Sequence, residues 1–312
     1  MGWRCGVSDL QQVLSDRKVR TYINYGGGTD STGMIVELVR RGWLDPGRTR
    51  ILTADTGSEK PGFYKYLPVF SAWLQARGFG EVSVVRWRRK GPGRVMTSYE
   101  KGDFIPLHQW CIDHYTLPSA AFGMKGCSMK WKAHPIDEKV KEMQEFGAKH
   151  GIRIVRLFGF DADEAHRHRD ADPMGNECRS PLIEWGWGRE ECADAIAAAG
   201  LPQPGKSSCW MCPHMRPKEI AELKRDHPDL YEDALYIERL FIDGGRREFS
   251  VWEKMNMEHD SRRGGEVAKG EASSVMGLGR SRAWASYPDA ELAAALERGD
   301  DDNARPCGCV DG

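Results

Sequence analysis

Three consecutive glycines followed by small polar residues are the feature of this chain best suited to chemistry. The segment from Tyr25 to Thr32 reads YGGGTDST. Glycines permit positive φ angles and let backbone amides approach a ligand closely. Amides of this kind in front of a helix N-terminus bind pyrophosphate or sulfate. The segment therefore predicts an anion site, with Asp30, Ser31 and Thr32 capping the helix and placing hydroxyls on a phosphate. A tight turn with a helix cap is the structural alternative.

A pair of cysteines forms the second candidate site. Cys209 and Cys212 lie in the segment CWMCPH. A C-x-x-C pair places two thiolates within reach of one metal, and thiolates suit zinc and iron–sulfur clusters. Two thiolates do not complete a site, and buried unreactive thiols are the alternative. A further close pair, Cys307 and Cys309, favours metal or redox chemistry over a secreted disulfide framework. An incidental tail is the alternative for this pair.

A run of basic residues is the third candidate. The segment from Arg86 to Arg94 reads RWRRKGPGR and follows a strand-like segment. Ligands of open α/β sheets bind at the carboxyl ends of strands. The cations and the tryptophan could contact nucleotide phosphates or a nucleic-acid backbone. A solvated loop is the alternative, because charge runs are usually solvated.

Charge and hydropathy limit the classes of protein to which the chain can belong. Its 312 residues carry 45 Lys and Arg against 46 Asp and Glu, a net charge of −1, so a grip on nucleic acid must come from a local patch. We expect no membrane partner, because no apolar run approaches the roughly 18 residues of a membrane span. The first six residues, MGWRCG, lack the apolar segment of a signal peptide, and we expect a cytoplasmic location.

Strand-like and helix-like segments alternate over the first 160 residues, which is typical of a parallel α/β sheet. The predicted strands are Thr21–Tyr25, Ile51–Ala54, Val82–Trp87 and Ile152–Phe160. The predicted helices are Ser31–Arg41, Phe63–Arg77, Pro135–His150, Glu190–Ala199 and Lys218–Leu240. The segment Gly91–Phe122 shows no periodicity and predicts a long loop or lid.

The same patterns predict three regions. Residues 1–200 form a nucleotide-binding α/β domain, and residues 201–258 form a helical region that contains the C-x-x-C pair. Residues 259–312 combine a flexible link at His259–Gly270 with a small tail helix at Asp289–Arg298.

The glycine-rich segment resembles the PP-loop, S-G-G-x-D-S, of the ATP pyrophosphatase superfamily, and in particular its branch related to phosphoadenosine phosphosulfate reductase. Four further segments resemble motifs of that branch, D-T-G-x-E, C-[ST]-x-x-K, G-x-R-x-x-E-x-x-R and P-L-x-x-W. They are Asp55–Glu59, Cys127–Lys130, Gly159–Arg167 and Ser180–Trp185, and the resemblance spans Thr21–Pro213.

The chain departs from these motifs at several positions, and Cys127–Lys130, which reads CSMK, is one residue shorter than C-[ST]-x-x-K. Gly26 replaces the first serine of the loop, and Thr29 takes its variable position. Asp161 replaces the arginine of G-x-R, which removes one cation from the expected phosphate site. The basic turn His166–Arg169 could compensate, or it could be a solvated turn.

The resemblance implies a PP-loop, adenine-nucleotide α-hydrolase-like parallel-sheet domain that binds ATP with Mg²⁺. It assigns Asp30 and Ser31 to catalysis. The residues that it implies for nucleotide binding are Gly26, Gly27, Gly28, Thr29, Asp30, Ser31, Thr32, Asp55, Thr56, Gly57, Lys130, Glu164 and Arg167.

Family members that carry a four-iron cluster, including relatives in DNA phosphorothioation and tRNA thiolation, imply a metal centre. Its expected ligands are Cys127, Cys209, Cys212 and a fourth residue, for which Cys178, Cys111 and His214 are candidates. A [4Fe-4S] cluster is favoured by this resemblance, and structural zinc is the alternative.

The implied activity is cleavage of ATP to AMP and pyrophosphate, which adenylates an acceptor for sulfur transfer to DNA or tRNA with a sulfur donor protein. A sulfonucleotide reductase is the first alternative, although the tail Arg305–Val310 lacks the glutamate and histidine of that family's E-C-G-[LI]-H motif. A catalytically silent nucleotide-binding protein is the second.

Overall fold

The computed structural model describes residues 7–90, 94–96, 103–122, 126–244, 277–279 and 282–298. Contacts divide the described residues into two compact units. The first lies within residues 1–105 and 128–208, and the second within residues 106–127 and 209–302. The segment 106–127 thus groups with the C-terminal helices, a division that differs from the predicted regions.

A five-stranded parallel sheet forms the centre of the first unit, in the spatial order β3-β2-β1-β7-β8. Its strands are β1 Val19–Asn24, β2 Thr49–Ala54, β3 Ser83–Val85, β7 Arg153–Phe158 and β8 Glu177–Arg179. The predicted α/β class with a parallel sheet is confirmed as a mixed α/β, Rossmann-like architecture.

Helices cover both faces of this sheet, because successive side chains of a strand point to opposite faces. The helices of the first unit include α1 Val7–Ser15, α2 Thr29–Arg40, α3 Pro61–Gln75, α6 His134–Ala148, α7 Pro181–Trp185 and α8 Arg189–Ala198. Ile23 of β1 belongs to the core that contains residues of α2, α3 and α8. Tyr22, one residue earlier, packs in the core with Ile136 and Val140 of α6.

The predicted loop Gly91–Phe122 is wrong as a single loop. It contains β5 Arg94–Met96, β6 Asp103–Phe104 and α4 Leu107–Asp113. Strand β4, Arg88–Lys90, pairs antiparallel with both β5 and β6. Part of the basic segment therefore lies in a small antiparallel sheet. Strands of two or three residues are too short to show periodicity in a sequence.

Helices build the second unit. They are α4, a 3-10 turn at Ser119–Phe122, α9 Pro217–Asp226, α10 Pro228–Gly244, a 3-10 turn at Trp284–Ser286 and α11 Asp289–Glu297. A short helix, α5 Gly126–Ser128, joins the units along the chain. The tail helix is confirmed at α11. The predicted link His259–Gly270 and the pair Cys307 and Cys309 lie outside the described residues.

The predicted helix Lys218–Leu240 is wrong as one helix, because it is divided between α9 and α10. Pro228 begins the second helix, and a proline disfavours the helical conformation in the residue before it. His227 accordingly adopts φ −143° and ψ 64°. No helix in the described part of the chain is long and apolar enough to cross a membrane.

A buried carboxylate holds the segment after residue 276 against α10. Glu238 has no exposed surface, and its Oε1 accepts hydrogen bonds from the backbone N–H groups of Leu278 (2.6 Å) and Trp284 (2.8 Å). Its Oε2 accepts a third from Ala285 (2.8 Å). One side chain thus satisfies three backbone donors.

We expect Glu238→Ala to lower the free energy of unfolding by about 3 kcal/mol or more, because each buried donor left unsatisfied costs about 1–3 kcal/mol. Urea unfolding measures this change. Glu232→Ala, at an exposed position of the same helix, is the matched control and should change stability by less than about 0.5 kcal/mol. Equal stabilities of the two variants would contradict the role of Glu238.

Candidate active site

The glycine-rich loop joins β1 to α2 at the carboxyl edge of the parallel sheet. Gly27 has φ +75°, and a Cβ there would lie 2.6 Å from ring carbons of Phe63, so a larger residue would be both strained and crowded. Gly28 precedes α2 in an extended conformation and makes no side-chain cap. The first amides of α2 therefore receive no side-chain cap from Gly28, and other acceptors can take them.

Two hydroxyls of the first turn of α2 stabilise this loop. Ser31 Oγ and Thr32 Oγ1 donate to the carbonyl of Gly28 at 3.3 and 2.7 Å. Thr32 Oγ1 also lies 3.2 Å from the hydroxyl of Tyr25. The expectation that polar residues after Thr29 cap the helix is wrong, because α2 begins at Thr29 and Gly28 occupies the cap position. Contact of the two hydroxyls with a phosphate stays a prediction.

Asp30 is paired with a residue that the sequence analysis did not single out. Arg189 donates from Nε to Oδ1 at 3.3 Å and from Nη2 to Oδ2 at 3.0 Å. Asp30 is buried and Arg189 half-buried. Arg189 is the first residue of α8, where the helix dipole disfavours a positive charge. An arginine at the start of a predicted helix is unfavourable and so hints at a nearby acidic partner. No stronger local sign of the pair with Asp30 is present in the sequence.

A second buried carboxylate lies near Asp30. Asp161 caps a 3-10 helix, Ala162–Arg167, and its Oδ1 accepts a hydrogen bond from the backbone N–H of Glu164 at 3.0 Å. Burial and then the charge of Asp30 raise the pKa of Asp161. The site therefore contains two carboxylates, Asp30 and Asp161, whose negative charges repel each other.

We expect Asp161→Asn to raise the free energy of unfolding at pH 7 by on the order of 1 kcal/mol. Asparagine keeps an oxygen for the Glu164 N–H but removes the charge. Because the folded-state pKa of Asp161 lies above its ordinary value of 3.8, ionisation costs stability as the pH rises through that interval.

Urea unfolding at several pH values tests this expectation. The gain should be largest above the folded-state pKa of Asp161 and should shrink as the pH falls toward 3.8. Asp229→Asn, at an exposed position of α10, is the control, because Asp229 is not among the charges that act on Asp161. A gain that does not vary with pH would contradict the charge argument.

The segment after β2 forms a tight turn organised by Asp55. This buried carboxylate accepts hydrogen bonds from the Gly57 N–H (2.7 Å), the Tyr64 hydroxyl (2.8 Å) and Arg86 Nε (2.8 Å). Gly57 has φ +69°, a conformation that favours glycine. One cation of the basic segment, Arg86, is therefore held at this turn by an ion pair.

Thr56 and Glu59 complete the same turn. Thr56 Oγ1 donates to Glu59 Oε1 at 2.9 Å, and Lys132 Nζ lies 3.3 Å from the same oxygen. A cavity of about 20 Å³ is bordered by Gly26, Glu59 and Lys132. The turn after β2 thus lies next to the glycine-rich loop, as their positions at adjacent strand ends predict.

The segment after β7 also reaches the glycine-rich loop. A Cβ at Gly159 would lie 2.7 Å from Ser31 Cα, so the end of β7 touches the first turn of α2. Glu164 and Arg167 form an ion pair, and the Arg167 guanidinium lies 4.5 Å from the ring centroid of Phe160. In the basic turn, His168 Nδ1 is 2.8 Å from Ser180 Oγ, while His166 and Arg169 are exposed.

The segments that follow β1, β2 and β7 thus lie together at one edge of the sheet. After β1 the chain adds β2 and β3 on one side and later returns to place β7 on the other. Ligands of open α/β sheets bind in the crevice at such a change of direction. The structure therefore supports a ligand site at the ends of β1, β2 and β7.

Lys130 has an aromatic environment. It lies in a π-helical segment, Met129–Ala133, with Nζ 4.4 Å from the ring centroid of Trp87 and 4.6 Å from that of Trp131. These distances are those of cation–π contacts. Its predicted contact with a nucleotide stays a prediction.

The cysteines predicted as metal ligands are divided between the two units. Cys127, Cys209 and Cys212 belong to the second unit, together with Cys111 and His214. The Cys212 N–H donates to the Cys209 carbonyl at 3.1 Å, which forms a turn of the C-x-x-C segment. Among the described residues, no three His, Cys, Asp or Glu side chains are arranged to hold a metal ion.

Cys178 lies in the first unit, on β8. It is buried, its Sγ is 3.6 Å from the Asn176 carbonyl, and burial raises its pKa to about 11. A metal ligand must be the thiolate. These surroundings favour the neutral thiol, and Cys111 and His214, unlike Cys178, belong to the same unit as Cys127, Cys209 and Cys212.

Neither protein-family models nor curated protein sequences match this chain. Any functional conclusion therefore depends on the chain's own residues and on the motifs they form.

Proposed function

We propose that this protein is a PP-loop ATP pyrophosphatase that cleaves ATP to AMP and pyrophosphate and adenylates an acceptor. One observation carries the proposal. The loop Tyr25–Gly28 joins the central strand to α2 with a positive φ at Gly27, and the residue at the cap position, Gly28, has no side chain that could occupy the first amides of α2. Backbone amides at such a helix start are suited to pyrophosphate.

The carboxylates near this loop fit a Mg²⁺–nucleotide complex. Asp30 and Asp161 are buried oxygen donors, and Mg²⁺ prefers oxygen ligands. When bound with ATP, Mg²⁺ supplies charge neutralisation for the phosphates. Asp30 is the proposed catalytic carboxylate, which would hold Mg²⁺ on the bound phosphates from the first turn of α2. Asp55 accepts three hydrogen bonds and holds the adjacent turn in place.

The proposed reaction has two displacements. An oxygen of the acceptor attacks the α-phosphorus of ATP, the bond to the bridging α–β oxygen breaks, and pyrophosphate leaves with the electron pair. A sulfur or nitrogen nucleophile then attacks the acceptor atom that bears the adenylated oxygen, the bond between that atom and the oxygen breaks, and AMP leaves with the oxygen. The loop Gly26–Thr32 holds the departing pyrophosphate through its amides.

The proposed acceptor is a nucleic acid, DNA or tRNA, with sulfur supplied by a donor protein. The cysteines of the second unit support a sulfur-handling or structural centre, because the candidate thiols Cys111, Cys127, Cys209 and Cys212 and the candidate imidazole of His214 all belong to it. Thiolate donors fit a [4Fe-4S] cluster or zinc. Iron, acid-labile sulfide and zinc measured in anaerobically purified protein test this part, and the absence of all three would contradict it.

Anaerobic incubation with Mg²⁺ and α-labelled ATP, with and without DNA or tRNA, tests the activity. We expect AMP and pyrophosphate in equal amounts, increased by the nucleic acid that is the acceptor. A sulfonucleotide reductase would instead release sulfite from a sulfonucleotide and a thiol, an assay expected to give no product. Tight ATP binding without AMP under all conditions would contradict turnover and indicate a binding protein.

A further inference from the structure

We propose that Arg189 binds a phosphate of the nucleotide, an inference that rests on the proposed ATP site and adds a binding residue to it. Its guanidinium is held by both oxygens of Asp30, at 3.3 and 3.0 Å. Asp30 lies in the first turn of α2. The guanidinium therefore lies at the N-terminal end of α2, next to the backbone amides of the glycine-rich loop.

A cation is needed at this site to offset the negative charges of two buried carboxylates. Asp30 and Asp161 are both buried, and each would repel a phosphate. The charges of both carboxylates and of Arg189 act on the buried thiol of Cys192, which indicates that the three groups are close together. Arg189 offsets one of the two negative charges.

The position of Arg189 is fixed by backbone packing. A Cβ at Gly33 would lie 2.5 Å from Cys192 Cβ and 2.7 Å from Cys192 Cα, so α2 and α8 touch at this point. Arg189 lies one turn before Cys192 on α8, and Asp30 one turn before Gly33 on α2. The close contact therefore determines how the guanidinium meets the loop.

An arginine can bind a carboxylate and a phosphate at the same time. Its planar fork matches the oxygens of carboxylates and phosphates, and it has more N–H donors than the two that Asp30 accepts. A phosphate can therefore bind to the remaining donors while Asp30 keeps the side chain oriented. The helix dipole of α8 disfavours a cation at this position, and the Asp30 pair offsets that cost.

Equilibrium binding of ATP and of adenosine to the full chain tests the inference. We compare the wild type with Arg189→Ala, Arg189→Lys and the control Arg40→Ala, which removes an exposed arginine from the other end of α2. Arg189→Ala should weaken ATP binding at least about tenfold and leave adenosine binding within about twofold. Arg189→Lys should recover part of the ATP affinity, and the control should bind as the wild type does.

The outcomes separate this inference from the proposed function. A wild type that binds ATP no better than Arg189→Ala and Arg189→Lys do overturns the role of Arg189 alone. Equal losses of ATP and adenosine binding indicate a structural role and also overturn it. A wild type that binds no ATP overturns both proposals. If Arg189→Ala does not fold, Arg189→Lys decides, with an expected loss of about threefold for ATP only.

Discussion

Replacing Asp30 by asparagine is expected to reduce AMP formation at least about 100-fold, while ATP binding stays within about threefold of the wild type. Asparagine keeps the volume of the buried side chain but removes the negative charge that would hold Mg²⁺ on the bound phosphates. The Arg189 guanidinium, bonded to Asp30 at 3.0 Å, keeps a neutral oxygen partner in the variant and stays beside the phosphates. The loss should therefore fall on the chemical step and leave affinity nearly intact.

Release of labelled AMP at saturating ATP, together with direct ATP binding, measures both parts of this expectation. Asp194→Asn is the matched control, because Asp194 is exposed on α8, the helix that also carries Arg189. An Asp30→Asn variant with wild-type AMP formation would remove Asp30 from the catalytic role.

Replacing Gly159 by alanine is expected to have the second large effect, through the backbone. The new Cβ would lie 2.7 Å from Ser31 Cα and 2.9 Å from Ser31 N, and neither atom is the end of a flexible side chain. The end of β7 and the start of α2 must separate, which costs about 1–3 kcal/mol of stability. Because the first turn of α2 follows the glycine-rich loop, we also expect ATP binding to weaken at least about tenfold.

Thermal unfolding and ATP titration of Gly159→Ala test these two effects. Gly80→Ala is the control, since a Cβ at Gly80 meets no atom within 4 Å. We expect the control to match the wild type in both measurements. Unchanged ATP affinity in a destabilised Gly159→Ala would show that the contact supports the fold alone.

Local signals explain most of what the sequence predicted correctly. The strand, the glycines and the following helix are adjacent in the chain, so their order alone predicts the loop between β1 and α2. The segment Asp55–Glu59 after β2 was singled out by its resemblance to the D-T-G-x-E motif. The extent of α2 was predicted less well, because Gly28 takes the cap position and the helix begins at Thr29.

Other features needed the three-dimensional fold. The contact between Arg189 and Asp30 joins helices far apart in the sequence, and no local pattern could predict it. Cys178 was one of three candidates for a fourth metal ligand that the sequence could not separate, and the structure gives it a buried environment that favours the neutral thiol. The interruption at Pro228, by contrast, had a clear signal in the sequence, because proline rarely continues a helix.

The second unit is assembled from two stretches of chain, 106–127 and 209–302, on either side of a long part of the first. During synthesis, α4 emerges well before α10, the helix that it contacts. Its buried residues Leu107 and Cys111 must therefore wait for the C-terminal helices, and they resemble the exposed apolar surface that chaperones bind. No single cut of the chain separates the two units, so an isolated second unit requires a redesigned connection between residues 127 and 209.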